Sequence, residues 1–508
     1  MRFFLTLFTF LLITGPINAI DRISPPQVFK AGFSEKDITP DIGMEAPGGY
    51  GKSYHRTFHD PCKVRAVVFD DGNKRVALVG IDLLFVTRSL VQEARAEIEK
   101  QTGIPQDAVM IGASHSHSSG PIGMTDPGDF DHASPMVKDL VNNKSIVSNP
   151  GYTQLLKKQI VEAVVTANDA RVDAKLAVGY GHEDKVSFNR RLRMKNGLTY
   201  SHPGAGNPDI IDYAGPIDPQ VGTVGVWDLQ GNLLGMVVNF SNHATTNPGG
   251  ISANWIYDME KTLRGATGNA ALPVVFMQGA CGDITQVDNL TEFQNPSGKE
   301  WSQIAGGRVG AEAYKTLLLI RRGANSNIPL DTRQRVWKVK RRIPSADKVK
   351  QAIETVKMGP EKAGATEWTF AKETVVLDAI IKSRPEAEVE VQTIQVGPAV
   401  FVSNPAEYFV QFGLDIKEGS KFPFTFVVEL ANGVVGYVPT EEALGPKGGG
   451  YETRLTSYSN LEVSAGRQFA DTGIELANQM SPGEIPLPPP PPPFQAPWSY
   501  GNVPPELD

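Results

Sequence analysis

Cysteine and histidine are scarce in this sequence, and basic residues are not in surplus. The 508 residues include 2 cysteines and 8 histidines, and the formal net charge is −7. So few cysteines exclude a small disulfide scaffold, and a chain of this length can bury a core without one. The acidic balance argues against nucleic acid as the main partner, because contacts to phosphate groups require a basic surface. Hydrophobic residues make up 41% and charged residues 21% of the chain, which is typical of a soluble globular protein.

Long apolar runs are also absent, except at the amino terminus. Residues 1–19 contain Arg2, a mostly apolar run from Phe3 to Ile13, and Ile17-Asn18-Ala19, which resembles a cleavage site. The run is shorter than the ~20 residues that cross a bilayer. This pattern is typical of a secretory signal peptide, and it favours a secreted or periplasmic protein over one with an uncleaved anchor.

The two cysteines, Cys62 and Cys281, leave two interpretations open. Export to an oxidising compartment would permit a disulfide between them. The alternative, which we favour, is a pair of buried thiols.

Proline is concentrated near the carboxyl terminus. The stretch Pro486–Phe494 reads PLPPPPPPF, and we assign residues 481–508 to a proline-rich tail. Polyproline forms a stiff, extended rod without internal hydrogen bonds. We favour a tail without a binding role, and the alternative is a segment that docks on another protein.

The segment between these termini, residues 20–480, alternates strand and helix signals. The first of them are two β-rich runs joined by an Asp-Gly turn, a helix and a further strand, namely Lys63–Asp71, Arg75–Leu83, Thr87–Lys100 and Ala108–Ser114. The order strand, helix, strand indicates a parallel crossover. We therefore predict an α/β fold, with a mixed β-sheet core flanked by helices, in one large domain. Residues 344–382 are helical and charged, and we place them in a peripheral layer.

Four predicted strands run directly into polar clusters. These clusters are His115–Pro121 after Ala108–Ser114, Ser241–Thr246 after Leu233–Phe240, Gly279–Thr285 after Leu272–Gln278, and Asn404–Tyr408 after Val396–Ser403. In open α/β sheets, ligands bind at the carboxyl ends of strands. The fourfold coincidence therefore predicts one shared pocket.

Histidines in two of these clusters indicate a metal site. His115 and His117 are two residues apart, so in an extended backbone both imidazoles point to the same side. Two ligands are too few for a catalytic zinc ion, which usually takes three protein ligands and a water. His243 offers a third nitrogen and Glu407 an oxygen. Taken together, the set favours a metal site over unrelated polar side chains.

The motifs and their order resemble the N-terminal catalytic domain of the neutral/alkaline, non-lysosomal ceramidases. The matching segments are AGFSEKDITPDIG at 31–43, IGASHSHSSGP at 111–121, FNR at 188–190, NFSNHATT at 239–246, QGACGDITQ at 278–286, NPAEYF at 404–409 and GYVPTEEALGPKGGGYET at 436–453. The resemblance covers roughly residues 30–470. It implies a zinc-dependent hydrolase that cleaves the amide bond of ceramide or a related N-acyl lipid with a water molecule activated by the metal. A lipid substrate also implies peripheral contact with a membrane.

The resemblance also implies roles for individual residues. The implied zinc ligands are His115, His243, Glu407 and Tyr437. The implied catalytic set comprises His117 for proton transfer, Arg190 and Tyr451 for polarising the substrate carbonyl, Asp283 for orienting its neighbours, and Thr285, which stands where the family has a serine.

Two departures from the family keep the substrate open. Thr285 is β-branched, which stiffens its side chain and crowds its hydroxyl. The ceramidases also carry a further β-rich domain after the catalytic one, where this sequence has the proline-rich tail. A zinc hydrolase of the same fold that acts on an ester, a lactone or a carbohydrate derivative is therefore one alternative, and a non-enzymatic secreted binding protein is the other.

Overall fold

A computed structural model describes residues 29–485, 487–501 and 503–507. The predicted signal peptide, residues 1–19, lies outside the described residues. The strands are β1 (Lys30–Asp37), β2 (Lys63–Asp70), β3 (Arg75–Ile81), β4 (Val109–Ala113), β5 (Val172–His182), β6 (Phe188–Asn189), β7 (Arg191–Met194), β8 (Thr199–Ser201), β9 (Ile210–Tyr213), β10 (Gln220–Asp228), β11 (Leu233–Phe240), β12 (Val274–Gln278), β13 (Ile284–Thr285), β14 (Leu330–Lys340), β15 (Glu386–Val396), β16 (Ala399–Ser403), β17 (Glu407–Tyr408), β18 (Phe424–Val428) and β19 (Tyr437–Val438).

The α-helices are α1 (Arg88–Thr102), α2 (Pro135–Lys144), α3 (Pro150–Asp169), α4 (Trp255–Thr267), α5 (Gly298–Ile320), α6 (Ala346–Met358), α7 (Pro360–Ala363), α8 (Ala365–Ser383), α9 (Val410–Gly419) and α10 (Ala465–Asn478). None of the helices in the described ranges combines the length and the apolar character that a membrane span requires. The described part of the tail after Ser481 forms no helix or strand.

The largest sheet has eight strands in the order β12-β11-β10-β5-β1-β2-β3-β4. Its outer pairs, β3 with β4 and β11 with β12, are parallel, whereas the inner pairs are antiparallel. The predicted hairpin β2–β3 and the predicted parallel crossover through α1 are both present, and β10 and β11 form a further hairpin. The prediction of a mixed α/β fold is confirmed.

The two halves of this sheet pack against each other. Strand β12 contacts β2, β3 and β4, while α3 covers β1 and β2, and α5 covers β5 and β10. The approach is close, because a Cβ atom on Gly80 of β3 would lie 2.3 Å from the Phe276 carbonyl oxygen of β12. The described core therefore has helices outside and two layers of strands inside, and it buries the parallel strands on both faces.

A second sheet has the order β14-β15-β16-β18. Here the prediction of one strand over Val396–Ser403 is wrong, since β15 ends at Val396 and β16 begins at Ala399. Gly397 adopts a φ of 60°, which reverses the chain between two antiparallel strands. The continuous apolar run hid this turn. Strand β16 pairs in parallel with β18, and the polar cluster Asn404–Tyr408 still follows its carboxyl end.

Both cysteines are buried free thiols, as the favoured interpretation predicts. Cys62 follows the loop before β2, and Cys281 follows β12. Burial raises the pKa of each thiol well above its usual value, so both stay protonated and unreactive at neutral pH.

Two adjacent glycines in α5 test the packing of α5 on α4. A Cβ atom on Gly306 would lie 2.3 Å from the Trp255 carbonyl oxygen, whereas one on Gly307 would meet nothing within 4 Å. We expect Gly306→Ala to lower the free energy of unfolding by about 1–3 kcal/mol through overpacking. The matched variant Gly307→Ala should raise it by about 0.5–1 kcal/mol, because alanine restricts the unfolded chain. Urea denaturation measures both, and equal effects would contradict the close helix contact.

Candidate metal centre

His115 and His243 meet at the carboxyl ends of β4 and β11. Their Nε2 atoms are 3.0 Å apart, and both side chains are buried. The Nδ1 atom of His115 lies 2.8 Å from the Leu84 carbonyl oxygen, and that of His243 lies 2.8 Å from the Cys281 carbonyl oxygen. A carbonyl can only accept a hydrogen bond, so each ring carries its proton on Nδ1 and presents an Nε2 lone pair. This tautomer is the one that binds a metal ion through Nε2.

His117 brings a third Nε2 atom to the same point, 3.2 Å from Nε2 of His115. The sequence argument assumed an extended backbone here, and that assumption is wrong: His115 adopts the left-handed φ of 61°. This conformation is rare for residues other than glycine and marks sites where the surroundings impose it. The imidazoles of His115 and His117 therefore meet edge to face, with ring centroids 4.7 Å apart, rather than lying side by side.

The loop after β1 packs against the His117 ring. The ring donates a hydrogen bond to the backbone carbonyl of Gly48, and a Cβ atom on Gly48 would lie 2.2 Å from the ring's Nδ1. Gly48 also has a φ of 86°, which favours glycine. Burial lowers the pKa of His117 well below its usual value, and the neighbouring His115 and Arg190 lower it further. The ring is therefore a neutral imidazole at neutral pH.

Glu407 faces the histidines. Its Oε2 atom lies 3.3 Å from Nε2 of His115 and 3.8 Å from Nε2 of His243, and it is buried without a hydrogen-bond partner. Burial raises the pKa of Glu407, but His115, Tyr437 and Arg190 together outweigh burial and leave that pKa lowered. An ionised, partnerless oxygen in a dry site is costly unless a cation neutralises it.

Tyr437 is placed beside Glu407 because β17 and β19 pair in parallel, with Glu407 opposite Tyr437. Its hydroxyl oxygen accepts a hydrogen bond from Nη2 of Arg190 at 3.1 Å and lies 3.3 Å from the Tyr451 hydroxyl. Burial, with the Glu407 charge adding, raises the pKa of Tyr437 well above its usual value. The structure thus brings the four residues that the resemblance implies as ligands to one place.

The donor set fits a metal ion. Histidine nitrogens at positions 115, 117 and 243 lie within 4.8 Å of one another, and one carboxylate oxygen completes the group. Imidazole nitrogens with a carboxylate oxygen are a common ligand set of catalytic zinc. The hydrogen bonds on the far side of the rings are those that orient metal ligands.

Arg190 lies buried beside this group, between β6 and β7. Its Nε donates to Glu452 at 2.7 Å, its Nη2 donates to the Gly282 carbonyl at 2.7 Å, and its Nη1 lies 3.3 Å from Nε2 of His243. The guanidinium carbon is 5.2 Å from the centre of the Tyr451 ring, within range of a cation–π contact. Arg190 and Tyr451 therefore form one rigid unit at the edge of the histidine cluster.

Asp283 holds the Arg190 segment without reaching the cluster. Its carbonyl accepts from the Arg190 backbone N–H at 2.9 Å, and its carboxylate accepts from Asn189 and from the Val410 backbone N–H at 2.8 Å each. Burial raises the pKa of Asp283. This placement agrees with an orienting residue rather than a base.

Thr285 is buried in β13, and it is not among the residues that line the neighbouring cavity. Its hydroxyl lies 3.4 Å from the Gln286 side-chain oxygen and accepts from the Val287 backbone N–H at 3.3 Å. Neither of these hydrogen bonds joins Thr285 to the histidines. A catalytic role for Thr285 stays a prediction.

A cavity of about 630 Å³ opens beside the cluster and is lined by His115, His117, Glu407, Tyr437 and Tyr451. Much of its remaining wall is apolar and includes Leu84, Phe85, Ile122, Val376, Ile380 and Val434. Two of these side chains, Val376 and Ile380, belong to α8, so the assignment of residues 344–382 to a peripheral layer is wrong for α8. The sequence of α8 does not show an obvious apolar face, because charged residues of this helix point both toward the cavity and toward solvent.

Sequence reasoning missed two charged side chains that build the site. Lys372 of α8 is buried, and its Nζ donates to the Tyr50 and Lys144 carbonyls at 2.6 and 3.0 Å, which joins α8 to the loop that holds His117. Glu429 accepts from the backbone N–H groups of Cys281 and Tyr408 at 2.9 and 2.8 Å. Burial raises the pKa of Glu429 to about 7. Neither residue lies in a recognisable motif, so no local signal pointed to them.

A mixed α/β sheet that gathers three imidazoles at its strand ends is an arrangement that could hold a metal ion. No protein-family model matches the chain. A neutral ceramidase from Pseudomonas aeruginosa is 25% identical over 309 residues, which are 56% of this chain and 42% of that relative. The chain thus matches less than half the length of the curated relative.

Solved structures show the same fold. The crystal structure of neutral ceramidase from Pseudomonas aeruginosa matches with a TM-score of 0.66 and 19% identity, covering 91% of this chain and 76% of the other. A structure of ceramidase complexed with C2 matches with a TM-score of 0.66 and 17% identity, covering 91% and 77% of the two chains. The chain is thus similar in sequence to a neutral ceramidase over 309 residues and shares the fold of the solved ceramidase structures.

Two histidine variants test which imidazoles bind the metal. We expect His243→Ala to abolish zinc binding, because it removes one of the two implied imidazole ligands. His117→Ala should retain zinc, because His115, His243, Glu407 and Tyr437 remain. Metal analysis of the purified variants, beside thermal unfolding as a control for folding, measures both. Equal zinc content in the two variants would contradict this ligand assignment.

Proposed function

We propose that this protein is a zinc-dependent hydrolase that cleaves the amide bond of ceramide or a related N-acyl lipid. The observation that carries the proposal is the convergence of three imidazole Nε2 atoms and the partnerless Oε2 of Glu407 at the wall of a largely apolar cavity. The relationship to the neutral ceramidases supports an amide substrate.

The residues that would hold the metal are His115, His243, Glu407 and Tyr437. A bound zinc ion would supply a water molecule of lowered pKa and would polarise a carbonyl group. The neutral His117 imidazole lies at the cluster with Nε2 facing it, so it can take a proton from water and pass it to the departing amine.

Arg190 and Tyr451 are placed to stabilise the negative charge that develops on the substrate carbonyl oxygen. Both are hydrogen-bond donors held in place before substrate arrives, Arg190 by Glu452 and by the Gly282 carbonyl. Burial raises the pKa of Tyr451, so its hydroxyl keeps its proton and can donate it. Donors fixed in a dry site are among the larger contributions to catalysis.

The cavity offers a binding site for the acyl chain of such a substrate. Leu84, Ile122, Val376 and Ile380 form part of its apolar wall. Each methylene group that leaves water for such a wall contributes about 0.8 kcal/mol. An acyl chain bound there would bring its amide carbonyl to the histidine cluster.

We also propose that the protein is exported, which the amino-terminal pattern of residues 1–19 supports. Cleavage after Ala19 would release a mature chain that begins at Ile20. Amino-terminal sequencing of the exported protein checks this position.

Hydrolysis of a fluorogenic N-acyl-sphingosine by the purified chain tests the proposed function. We expect amide hydrolysis that a zinc chelator abolishes and added zinc restores. Ester and lactone substrates of similar chain length run beside it. If an ester is turned over faster than the amide and the chelator stops that reaction, the substrate is an ester rather than an amide. If the zinc-loaded protein turns over none of these substrates, the proposal that it is an enzyme is wrong.

Gly48 and Gly49 offer a matched pair that tests the position of His117. A Cβ atom on Gly48 would collide with the His117 ring, whereas the nearest atom to a Cβ on Gly49 would be 3.5 Å away. We expect Gly48→Ala to lower kcat by about 10²-fold or more, as loss of a proton-transfer group does, and to retain zinc. Gly49→Ala should behave like the unchanged protein. Unchanged kcat in Gly48→Ala would show that the position of His117 does not matter.

A further inference from the structure

Two arginines stand at the cavity wall away from the metal cluster. Arg341 follows β14, and Arg384 follows the last residue of α8. Both line the same cavity as His115 and Glu407. The proposed hydrolysis uses neither of them.

Arg341 has donors that the protein does not use. Its Nε donates to the Arg384 carbonyl at 3.2 Å, and its Nη1 donates to the Asn460 side chain. Within the residues that the structure describes, Nη2 has no acceptor, and no carboxylate oxygen lies within 4.0 Å of the guanidinium. Burial, with the nearby charge of Arg384, lowers the pKa of Arg341 to about 10. The guanidinium groups of Arg341 and Arg384 thus repel each other in a partly buried position.

The buried arginines elsewhere in the described chain have carboxylate partners. Arg65 pairs with Asp82 at 2.8 Å, and Arg95 pairs with Glu390 at 2.9 Å. Arg190 pairs with Glu452 at 2.7 Å. Such pairing is what burial of a guanidinium normally requires, so Arg341 lacks an anion that its surroundings would favour.

The carboxylates that face this region are few and already engaged. Asp129 lies 3.5 Å from Nη2 of Arg384, at an exposed position. Glu373 is paired with Lys372 at 3.0 Å, and Glu367 lies 3.6 Å from Arg454. Arg454 adds a further cation over the ring of Phe370, which lines the cavity.

Arg342 adds one more cation beside Arg341. Its Nε and Nη2 donate to the backbone carbonyls of Leu461 and Ser459, so these hydrogen bonds leave its charge without a neutralising partner. The formal net charge of the whole chain is −7, yet this end of the cavity carries a local excess of positive charge. Such an excess attracts an anion and focuses it into a cleft with apolar walls.

We propose that Arg341 and Arg384 form a subsite for a phosphate-type oxyanion that belongs to the amphiphile whose acyl chain fills the cavity. Guanidinium groups suit this ligand because their N–H groups form charge-assisted hydrogen bonds with paired oxygens. The location of the acyl chain rests on the proposed function. The substrates that the cavity takes best would accordingly be N-acyl lipids with an anionic head group.

Binding of single-chain amphiphiles tests this subsite without turnover. The probes are dodecyl phosphate and dodecyl maltoside, each below its critical micelle concentration, and calorimetry measures their affinity for the full zinc-loaded chain. We expect dodecyl phosphate to bind about tenfold more tightly or better, because charge-assisted hydrogen bonds distinguish the two. Equal affinities would overturn the proposal.

Variants assign the preference to the two arginines. Arg384→Gln and Arg341→Gln should each remove most of the preference for dodecyl phosphate and leave binding of dodecyl maltoside unchanged. The matched control is Arg335→Gln, which removes an exposed arginine paired with Glu475 and should keep the preference. If Arg341→Gln does not fold, as thermal unfolding would show, Arg384→Gln decides. A preference that survives in the folded variants would overturn the proposal.

Inorganic phosphate separates the two sources of an oxyanion. We expect millimolar phosphate to compete weakly with dodecyl phosphate, because it lacks the chain that the apolar wall binds. If inorganic phosphate bound as tightly as dodecyl phosphate does, the site would be one for a free anion, and the assignment to an amphiphile would be wrong. Since none of these measurements needs hydrolysis, failure of the proposed enzyme activity would be seen separately, in the amide assay.

Discussion

The hydrogen bonds that bind the histidine rings to backbone groups are the interactions on which the site depends. His115 donates to the Leu84 carbonyl and His243 to the Cys281 carbonyl, while Gly48 holds His117. Each bond fixes a tautomer and turns a lone pair inward. Because the backbone groups follow β1, β3 and β12, the packing of strands sets the positions of the metal ligands.

Buried charge explains how the rest of the fold supports this cluster. Glu429 joins the loop that orients His243 to the strand that carries Glu407, through two backbone N–H groups. Lys372 joins α8 to the loop that holds His117. A buried hydrogen-bonding group that loses its partners costs about 1–3 kcal/mol, and more when it is charged, so both side chains stabilise one arrangement of the cavity wall. Arg341 differs from them, because it is partly buried without a counter-charge.

The sequence predicted much of the fold because local signals suffice for it. The two hairpins and the helix α1 each have a turn or cap that is visible in a few residues, such as Thr87, whose side chain accepts from the Leu90 backbone N–H. Errors arose where local signals conflict with context. The turn at Gly397 lies inside an apolar run, and the left-handed φ of His115 has no local signature.

The candidate site could be predicted in part. The identities of His115, His243 and Glu407, and their position after strands, followed from the order of motifs along the chain. Their distances did not, because Glu407 and His115 are brought within 3.3 Å only by pairing between distant strands. The same holds for the wall that α8 contributes to the cavity.

The sequence by itself determined the chemical types that can meet at the site, since imidazole and carboxylate are properties of residues. It also determined the alternation of strands and helices that gathers them at one edge. Only the tertiary structure decided which nitrogen each histidine ring presents to the site and which carboxyl groups lie near a cation. It also decided that Arg341 lies without a carboxylate partner. These properties depend on burial and on partners far away in the chain, and neither can be read from neighbouring residues.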